Sequence, residues 1–299
     1  MVSQDDIKTE VVDLQGRRVA AAIHELSEVD RVVQKLFKGN YRVDSKIGRD
    51  GQSDVFLIHS TGDVTAPMTL KVIRDDEFDD IDALDGARIL KRLQGHPGLP
   101  RIYQAAHDGN DIYIIREYLK GGSLDAYKAH SPMSPLEQKM FKMWMIQIAD
   151  ALEYMHSKGI IHCDIKPGNM IVTERDGAKI IDFDLAYDLE SGKPRKPAGT
   201  SLYWSPQLAS GKQPCIADDI YSYGASFFRI GTGQMPPDSR SGGEDRMLRE
   251  YARATSVLDE LADREGGDKA IHVIKRAMSP DVEARYSDFR EVLRDLAED

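Results

Sequence analysis

From Tyr41 onward this chain reads first mainly as strands and, after Gly121-Gly122, mainly as helices, and that change narrows the folds open to it. Before it, YRVDSKIG, DVFLIHS, MTLKVI and IYIIREY are short runs rich in β-branched and aromatic residues, separated by Gly, Asp and Pro. Such runs suit strands of an antiparallel sheet, because branched side chains pack well on a pleated surface. One helix interrupts them: DDIDALDGARILKRL sets Ile81, Leu84, Ile89 and Leu93 at helical spacing, with the apolar face expected on the sheet. After the glycines the pattern is mainly helical. In SPLEQKMFKMWMIQIADALEYMHSKG, Ser134 suits a cap, Pro135 the first helical position and Gly159 the residue past the end. The expected class is α+β, with the two glycines as a hinge.

A further helix is expected in front. Ile7, Val11, Leu14, Val19, Ile23, Leu26, Val29, Val33 and Leu36 recur every three to five residues between Asp5 and Phe37. This spacing predicts one amphipathic helix, or two broken near Gly16. Gly39-Asn40 is the expected stop, since both residues tolerate the left-handed conformation. The apolar stripe needs a cover, which is either the rest of the chain or a second copy of it.

Composition excludes several function classes. At 299 residues and 41% hydrophobic content the chain can bury a substantial core. Forty basic against fifty acidic residues leave a net charge of −10 with no basic cluster, which argues against nucleic acid as a partner. The two cysteines, Cys163 and Cys215, form neither a disulfide framework nor a zinc site, so a reducing compartment is expected. The first residues lack a secretory signal, and no apolar run is long enough to span a membrane. A soluble, cytoplasmic protein is expected.

Two segments carry chemistry. IIHCDIKPGNMIV, from Ile160 to Val172, sets a polar loop between apolar runs. Within it the carboxylate of Asp164 can accept a hydroxyl proton, the ammonium of Lys166 can neutralise a phosphoryl oxygen, and the amide oxygen of Asn169 can bind Mg²⁺. Further on, KIIDFDLA delivers Asp182 and Asp184 at the end of an apolar strand. Paired carboxylates there are costly to desolvate without a cation, so a metal site is the natural reading.

With these segments in view, the sequence resembles the protein kinases. The catalytic-loop pattern H-R-D-x-K-x-x-N appears as His162 to Asn169, and D-F-G appears as Asp182-Phe183-Asp184. The resemblance implies a bilobal kinase-like fold: a helical extension over residues 1–39 and a kinase domain over 40–299, with a β-rich N-lobe at about 40–117 and a mainly α-helical C-lobe at about 120–299. It implies Asp164, Lys166 and Lys71 as catalytic residues, with Asp164 the base and Lys71 the clamp on the α- and β-phosphates of ATP. Lys166 favours Ser/Thr over Tyr substrates. Asn169 and Asp182, with Asp184, are implied as ligands of Mg²⁺ or Mn²⁺. Gly48, Gly51 and Val55 match the glycine-rich loop, while Glu117 and Leu119 would meet adenine and Ser123 the ribose. Arg116 falls at the gatekeeper position. GTSLYWSPQ resembles the end of an activation segment, with Thr200 placed to bond the catalytic loop. Asp219 matches the aspartate that braces that loop, and Arg285 a late structural arginine. The style is that of a bacterial kinase of eukaryotic type.

Departures from the family pattern are equally specific. Asp50 and Ser53 stand where the glycine-rich loop has glycines. Cys163 replaces the catalytic-loop arginine that reads a phosphorylated segment, Asp184 the D-F-G glycine, and Gln207 the glutamate that pairs with the arginine matched by Arg285. Gly86 stands where the small-lobe helix carries the glutamate partner of Lys71, so Asp85, Asp184 or Asp82 is expected to take that place. Three functions compete: a Ser/Thr protein kinase, a small-molecule phosphotransferase of aminoglycoside type, suggested by D-x-D, and a pseudokinase that binds partners. Retention of Lys71, Asp164, Lys166, Asn169 and Asp182 favours catalysis.

Overall fold

The computed structural model describes residues 22, 24–50, 53–62, 66–74, 83–127, 133–191, 197–239, 243–265 and 269–297. Two compact units divide them: Met1–Leu84 with Ile102–Tyr118, and Asp85–Arg101 with Leu119–Asp299.

The first unit is a five-stranded antiparallel sheet, in the order β1-β2-β3-β5-β4. Its strands are β1 (Tyr41–Asp50), β2 (Ser53–Ser60), β3 (Pro67–Ile73), β4 (Ile102–Asp108) and β5 (Asp111–Glu117). Four strands follow the runs read from the sequence; β4 was not foreseen. It lies at the sheet edge with most of its side chains exposed, so IYQAAHD carries little apolar alternation. Its signal was the turn instead. Asp108 and Asp111 pair across Gly109-Asn110, and Gly109 takes a positive φ of 60°, as two-residue hairpins favour.

Because strand side chains alternate, Met68, Leu70 and Val72 share one face of β3, and Thr69, Lys71 and Ile73 the other. The first face is covered by helix α1, residues 24–36. Val29, Val33 and the following Phe37, all buried, join Tyr41, Phe56, Ile58, Leu70, Tyr113 and Ile115 in one apolar cluster. Each such side chain contributes about 1.5–3 kcal/mol when fully buried. Leu26 and Leu36 pack at the margin. The stripe positions from Ile7 to Val19, and Ile23, lie outside the described residues. The left-handed stop sits one residue earlier than expected, on Lys38 (φ 54°) and Gly39 (φ 76°), and Gly39 N–H closes the helix on Gln34 O at 2.9 Å.

The second unit is mainly helical, with α2 (Ala83–Arg92), α3 (Pro135–Ser157), α4 (Pro206–Ala209), α5 (Ile216–Thr232), α6 (Gly243–Glu265), α7 (Lys269–Ala277) and α8 (Phe289–Ala297). The division of units passes through the first turn of α2. Ala87, Ile89, Leu90 and Leu93 of this region are buried, while Ile81 lies outside the described residues. α3 starts as expected at Ser134 and Pro135, with a reciprocal capping box. Ser134 Oγ accepts from Glu137 N–H at 3.3 Å and Glu137 Oε2 accepts from Ser134 N–H at 2.9 Å.

Two small sheets complete this unit: β6 (Gly121–Ser123), β8 (Met170–Thr173) and β9 (Gly177–Ile180) form one, β7 (Ile160–Ile161) and β10 (Tyr187–Asp188) the other. The glycines at the change of pattern lie in strand β6. Gly121 is needed for close approach, since a Cβ there would lie 2.0 Å from the Val172 carbonyl oxygen. Among the described residues, no helix is long and apolar enough to cross a membrane.

Candidate functional site

Fully buried Ile160 and Ile161 anchor the loop that follows, and Ile165 and Met170 anchor its far side. Between them the backbone turns sharply at Cys163, whose φ of 66° lies in the left-handed region. A non-glycine residue there costs about 1–3 kcal/mol and needs external support. Asp219, in the first turn of α5 and only 1% exposed, supplies it. Its Oδ1 accepts from Cys163 N–H at 3.0 Å, and its Oδ2 from His162 N–H at 2.8 Å and His156 Nε2 at 2.9 Å. The neighbouring Asp218 does a different job: it accepts from Cys215 N–H at 2.8 Å and from the Ser205 hydroxyl, joining the start of α5 to the start of α4.

Asp164, Lys166 and Asn169 do come together. Lys166 Nζ lies 2.7 Å from Asp164 Oδ2, and Asn169 Nδ2 donates to the same oxygen at 3.0 Å and to the Asp164 carbonyl at 2.8 Å. Lys166 Nζ also donates to Thr200 Oγ1 at 2.8 Å, while Thr200 N–H donates to Asp164 Oδ1 at 2.7 Å. The expected bond from Thr200 to this loop is thus present twice. Nothing in the spacing of the sequence pointed to His156, which reaches Asp219 from the far end of α3.

The Asp182 segment adjoins this loop. β9 pairs with β8, and Ile181 N–H donates to the Asn169 carbonyl at 2.8 Å, so Asp182 follows directly on a bond to the last residue of the loop. Asp182 itself is left-handed, at φ 68°. His162 ties the two segments: its Nδ1 accepts from Asp164 N–H at 3.3 Å, which leaves Nε2 as the donor to the Ile181 carbonyl at 3.1 Å. The Phe183 ring packs 5.4 Å from the His162 ring.

No cluster of three His, Cys, Asp or Glu side chains suited to a metal occurs among the described residues. The Asn169 amide oxygen and the Asp182 carboxylate are nonetheless the hard oxygen donors that Mg²⁺ takes, since it binds through one or two protein ligands and completes its shell with phosphate and water. The donor chemistry therefore fits Mg²⁺ or Mn²⁺.

Gly86 is the departure that the structure explains. A Cβ at this position would lie 2.7 Å from the Phe183 carbonyl oxygen, 3.0 Å from its carbon and 3.1 Å from Asp184 Cα. All three are backbone atoms, so a larger side chain would force the backbone at 183–184 to shift. Of the carboxylates considered for Lys71, Asp85 pairs with Arg88 at 2.8 Å and Asp82 lies outside the described residues.

In the first unit, Lys71 is 1% exposed and lies opposite Val55 on β2 and Ile114 on β5. Gly48 pairs with Val55, and among the described residues, its chain neighbours aside, no atom lies within 4 Å of where a Gly48 Cβ would be. Asp50 and Ser53 face each other across the hairpin, whose tip, with Gly51, lies outside the described residues. Arg116 is buried, and the Glu117 carbonyl accepts from Thr69 Oγ1 at 3.4 Å. In the second unit Leu119 is half-buried, and the Ser123 hydroxyl accepts from Asp125 N–H at 3.1 Å, capping a short 3-10 turn.

Comparison with known proteins accounts for this arrangement. The family model described as protein kinase domain matches residues 41–296. The probable serine/threonine-protein kinase PknB of Lactococcus lactis is 28% identical over 271 residues, covering 89% of this chain and 43% of that protein. A probable serine/threonine-protein kinase of Streptomyces coelicolor is 30% identical over 278 residues, covering 86% and 39%. The chain thus spans about two fifths of the length of these relatives. Two solved structures share the fold: the granulovirus kinase PK-1 of Cydia pomonella (TM-score 0.68, 20% identity, 90% of this chain and 97% of that one) and the CAK complex of Chaetomium thermophilum bound to ATP-γ-S (TM-score 0.72, 21% identity, 89% and 93%). The chain belongs to the protein kinase domain family, with the antiparallel sheet followed by a mainly helical part that the fold requires.

Proposed function

We propose that this chain transfers the γ-phosphoryl group of ATP to serine or threonine hydroxyls of protein substrates. One observation carries the reading: the Asp164 carboxylate is held on both oxygens, by Thr200 N–H at Oδ1 and by Lys166 and Asn169 at Oδ2. A carboxylate fixed in this way is positioned to accept a hydroxyl proton as the substrate oxygen attacks the γ-phosphorus. The new O–P bond forms as the bond to the bridging oxygen breaks, and ADP leaves with that electron pair. Lys166, beside Asp164, is placed to neutralise charge on the transferred group. Mg²⁺, held through Asn169 and Asp182, would offset phosphate charge.

Family resemblance supports the remaining roles. Lys71 takes the α- and β-phosphates, and the open space at Gly48 suits a backbone that a phosphate can approach closely. Val55 and Gly51 belong to the same loop, while Glu117, Leu119 and Ser123 meet adenine and ribose. Asp184 is a candidate for the second cation. The decisive test is transfer of labelled phosphate from ATP, with Mg²⁺ or Mn²⁺, to the chain itself, to basic proteins and to aminoglycosides in parallel. The proposal expects labelled protein Ser or Thr, abolished by Asp164→Asn and by Lys71→Met. Labelled aminoglycoside alone would favour a small-molecule phosphotransferase, and no transfer at all a pseudokinase.

A further inference from the structure

Helix α2 meets the segment 183–190 at two points within the second unit. Near its start, Gly86 lies so close to the Phe183 and Asp184 backbone that a single added carbon would be 2.7 Å from the Phe183 carbonyl oxygen. At its end, the Arg92 guanidinium contacts the Asp188 carboxylate and lies 3.7 Å from Glu190 Oε2. The receiving strand is itself fixed: Tyr187 and Asp188 pair with Ile161 and Ile160, and Leu189 N–H donates to the Gly159 carbonyl at 2.9 Å. Asp188 Oδ1 also accepts from Glu190 N–H at 3.0 Å, which orients the carboxylate toward its cation.

The two contacts stand about 9 Å apart along the helix, from six residues at 1.5 Å each. They bracket the stretch that begins just after Asp182. A rigid helix held at both ends fixes the register of that stretch without any side-chain bridge from position 86. The carboxylates at 188 and 190 are present in the chain as translated, so the outer contact needs no modification to form.

We propose that α2 positions the metal-bearing segment by direct seating, with Gly86 as a backbone-to-backbone key and Arg92–Asp188 as its outer latch. This seat needs no glutamate at position 86. The inference rests on the reading of Asp182 as a metal ligand. Its sharpest consequence runs against the family pattern: restoring the glutamate damages the enzyme.

The test uses the full chain and the variants Gly86→Ala, Gly86→Glu, Arg92→Met, Asp188→Asn and the double variant Arg92→Met with Asp188→Asn. Steady-state kinetics are measured over a range of Mg²⁺, and backbone hydrogen exchange of residues 183–190 is followed without nucleotide or metal. A displacement of even half an ångström at a reacting centre is costly, so Gly86→Ala is expected to lose about tenfold or more in kcat and to need more Mg²⁺ for half-maximal rate. Gly86→Glu is expected to be no better. In both, exchange across 183–190 rises while the melting temperature of the chain falls little. Arg92→Met and Asp188→Asn should each lose about threefold, as an exposed ion pair permits, and the double variant should lose no more than either alone.

A Gly86→Glu chain as active as the natural one would overturn the proposal, as would unchanged exchange and rate in Gly86→Ala. If the Gly86 variants do not fold, the latch decides: a double variant that loses the product of the two single losses shows the two residues acting independently and counts against it. If the natural chain transfers no phosphate, the kinase reading fails while the exchange measurement still judges the seat.

Discussion

Thr200 donates its backbone N–H to Asp164 Oδ1 at 2.7 Å and accepts from Lys166 Nζ at its hydroxyl, 2.8 Å away. One residue thus touches both the proposed base and its neighbour. Thr200→Val keeps the N–H and the shape but removes the hydroxyl that Lys166 uses. A hydrogen bond to a charged group is worth about 1.5–3 kcal/mol, so kcat should fall about tenfold or more, while Thr200→Ser retains most of it. Steady-state rates of the two variants check this.

The same bond is made by the chain itself rather than by an added phosphate. Cys163 offers no cation for a phosphorylated segment, since it stands where the family has arginine. Phosphatase treatment should therefore leave the rate unchanged. Loss of activity on treatment, with recovery on rephosphorylation of Thr200 or Ser191, would contradict it.

Asp219 holds the strained turn at Cys163 with three accepted hydrogen bonds. Asp219→Asn turns one of these acceptors into a donor facing another donor, in a site from which water is excluded. Leaving buried donors unmatched costs about 1–3 kcal/mol, and the charged acceptor raises this toward the upper end. The melting temperature should drop by several degrees and transfer should fall more steeply, because the loop carries Asp164. Calorimetry with rate measurement would separate the two effects.

What the sequence made legible follows physical reach. Strands β1, β2, β3 and β5 were readable because branched apolar residues crowd each of them, and α3 because Ser134, Pro135 and Gly159 punctuate it. β4 was not, since an edge strand with exposed side chains leaves no apolar trace. In the site, Asp164, Lys166 and Asn169 converge within one short loop, where spacing in the sequence fixes spacing in the fold. Gly86 read as a missing glutamate, because its reason, the Phe183 backbone, is brought to it from nearly a hundred residues away by tertiary packing alone. His156 and Arg92 were missed for the same reason: each acts on a carboxylate distant in the chain.

Gln207 is matched to its neighbours as an amide. Its Oε1 accepts from Arg285 Nη2 at 2.6 Å, and its Nε2 donates to the Pro280 carbonyl at 2.9 Å. Burial pushes the Arg285 guanidinium below its ordinary range, and it also donates to the Ser279 carbonyl at 2.6 Å and the Ala217 carbonyl at 3.1 Å. Gln207→Glu would supply charge to Arg285 but set a carboxylate oxygen against the Pro280 carbonyl. No gain in melting temperature is expected from it, whereas Gln207→Ala should cost about 1–3 kcal/mol through the donor it leaves unmatched. A clear stabilisation by Gln207→Glu would refute the matching.

The covering of the sheet by α1 can be tested without touching the site. Val33 is fully buried in the cluster with Phe56, Leu70 and Ile115, on the face of β3 opposite to Lys71. Val33→Ala removes two methyl groups from a filled space and should cost about 2 kcal/mol in transfer and cavity terms. Val33→Asp buries a carboxylate against the same apolar surface and should cost more than Val33→Ala, since the side chains that make up that cluster are hydrophobic. A chain shortened to begin at Gly39 uncovers the whole face. It should melt at lower temperature and bind a dye that reports exposed apolar surface, because a patch of this kind does not stay bare in water. The family match begins only at residue 41, so the helix lies outside the matched domain. If the shortened chain kept the thermal stability, rate and oligomeric state of the full one, the packing of Val29, Val33 and Phe37 would contribute nothing measurable, and α1 would have no part in stabilising the sheet.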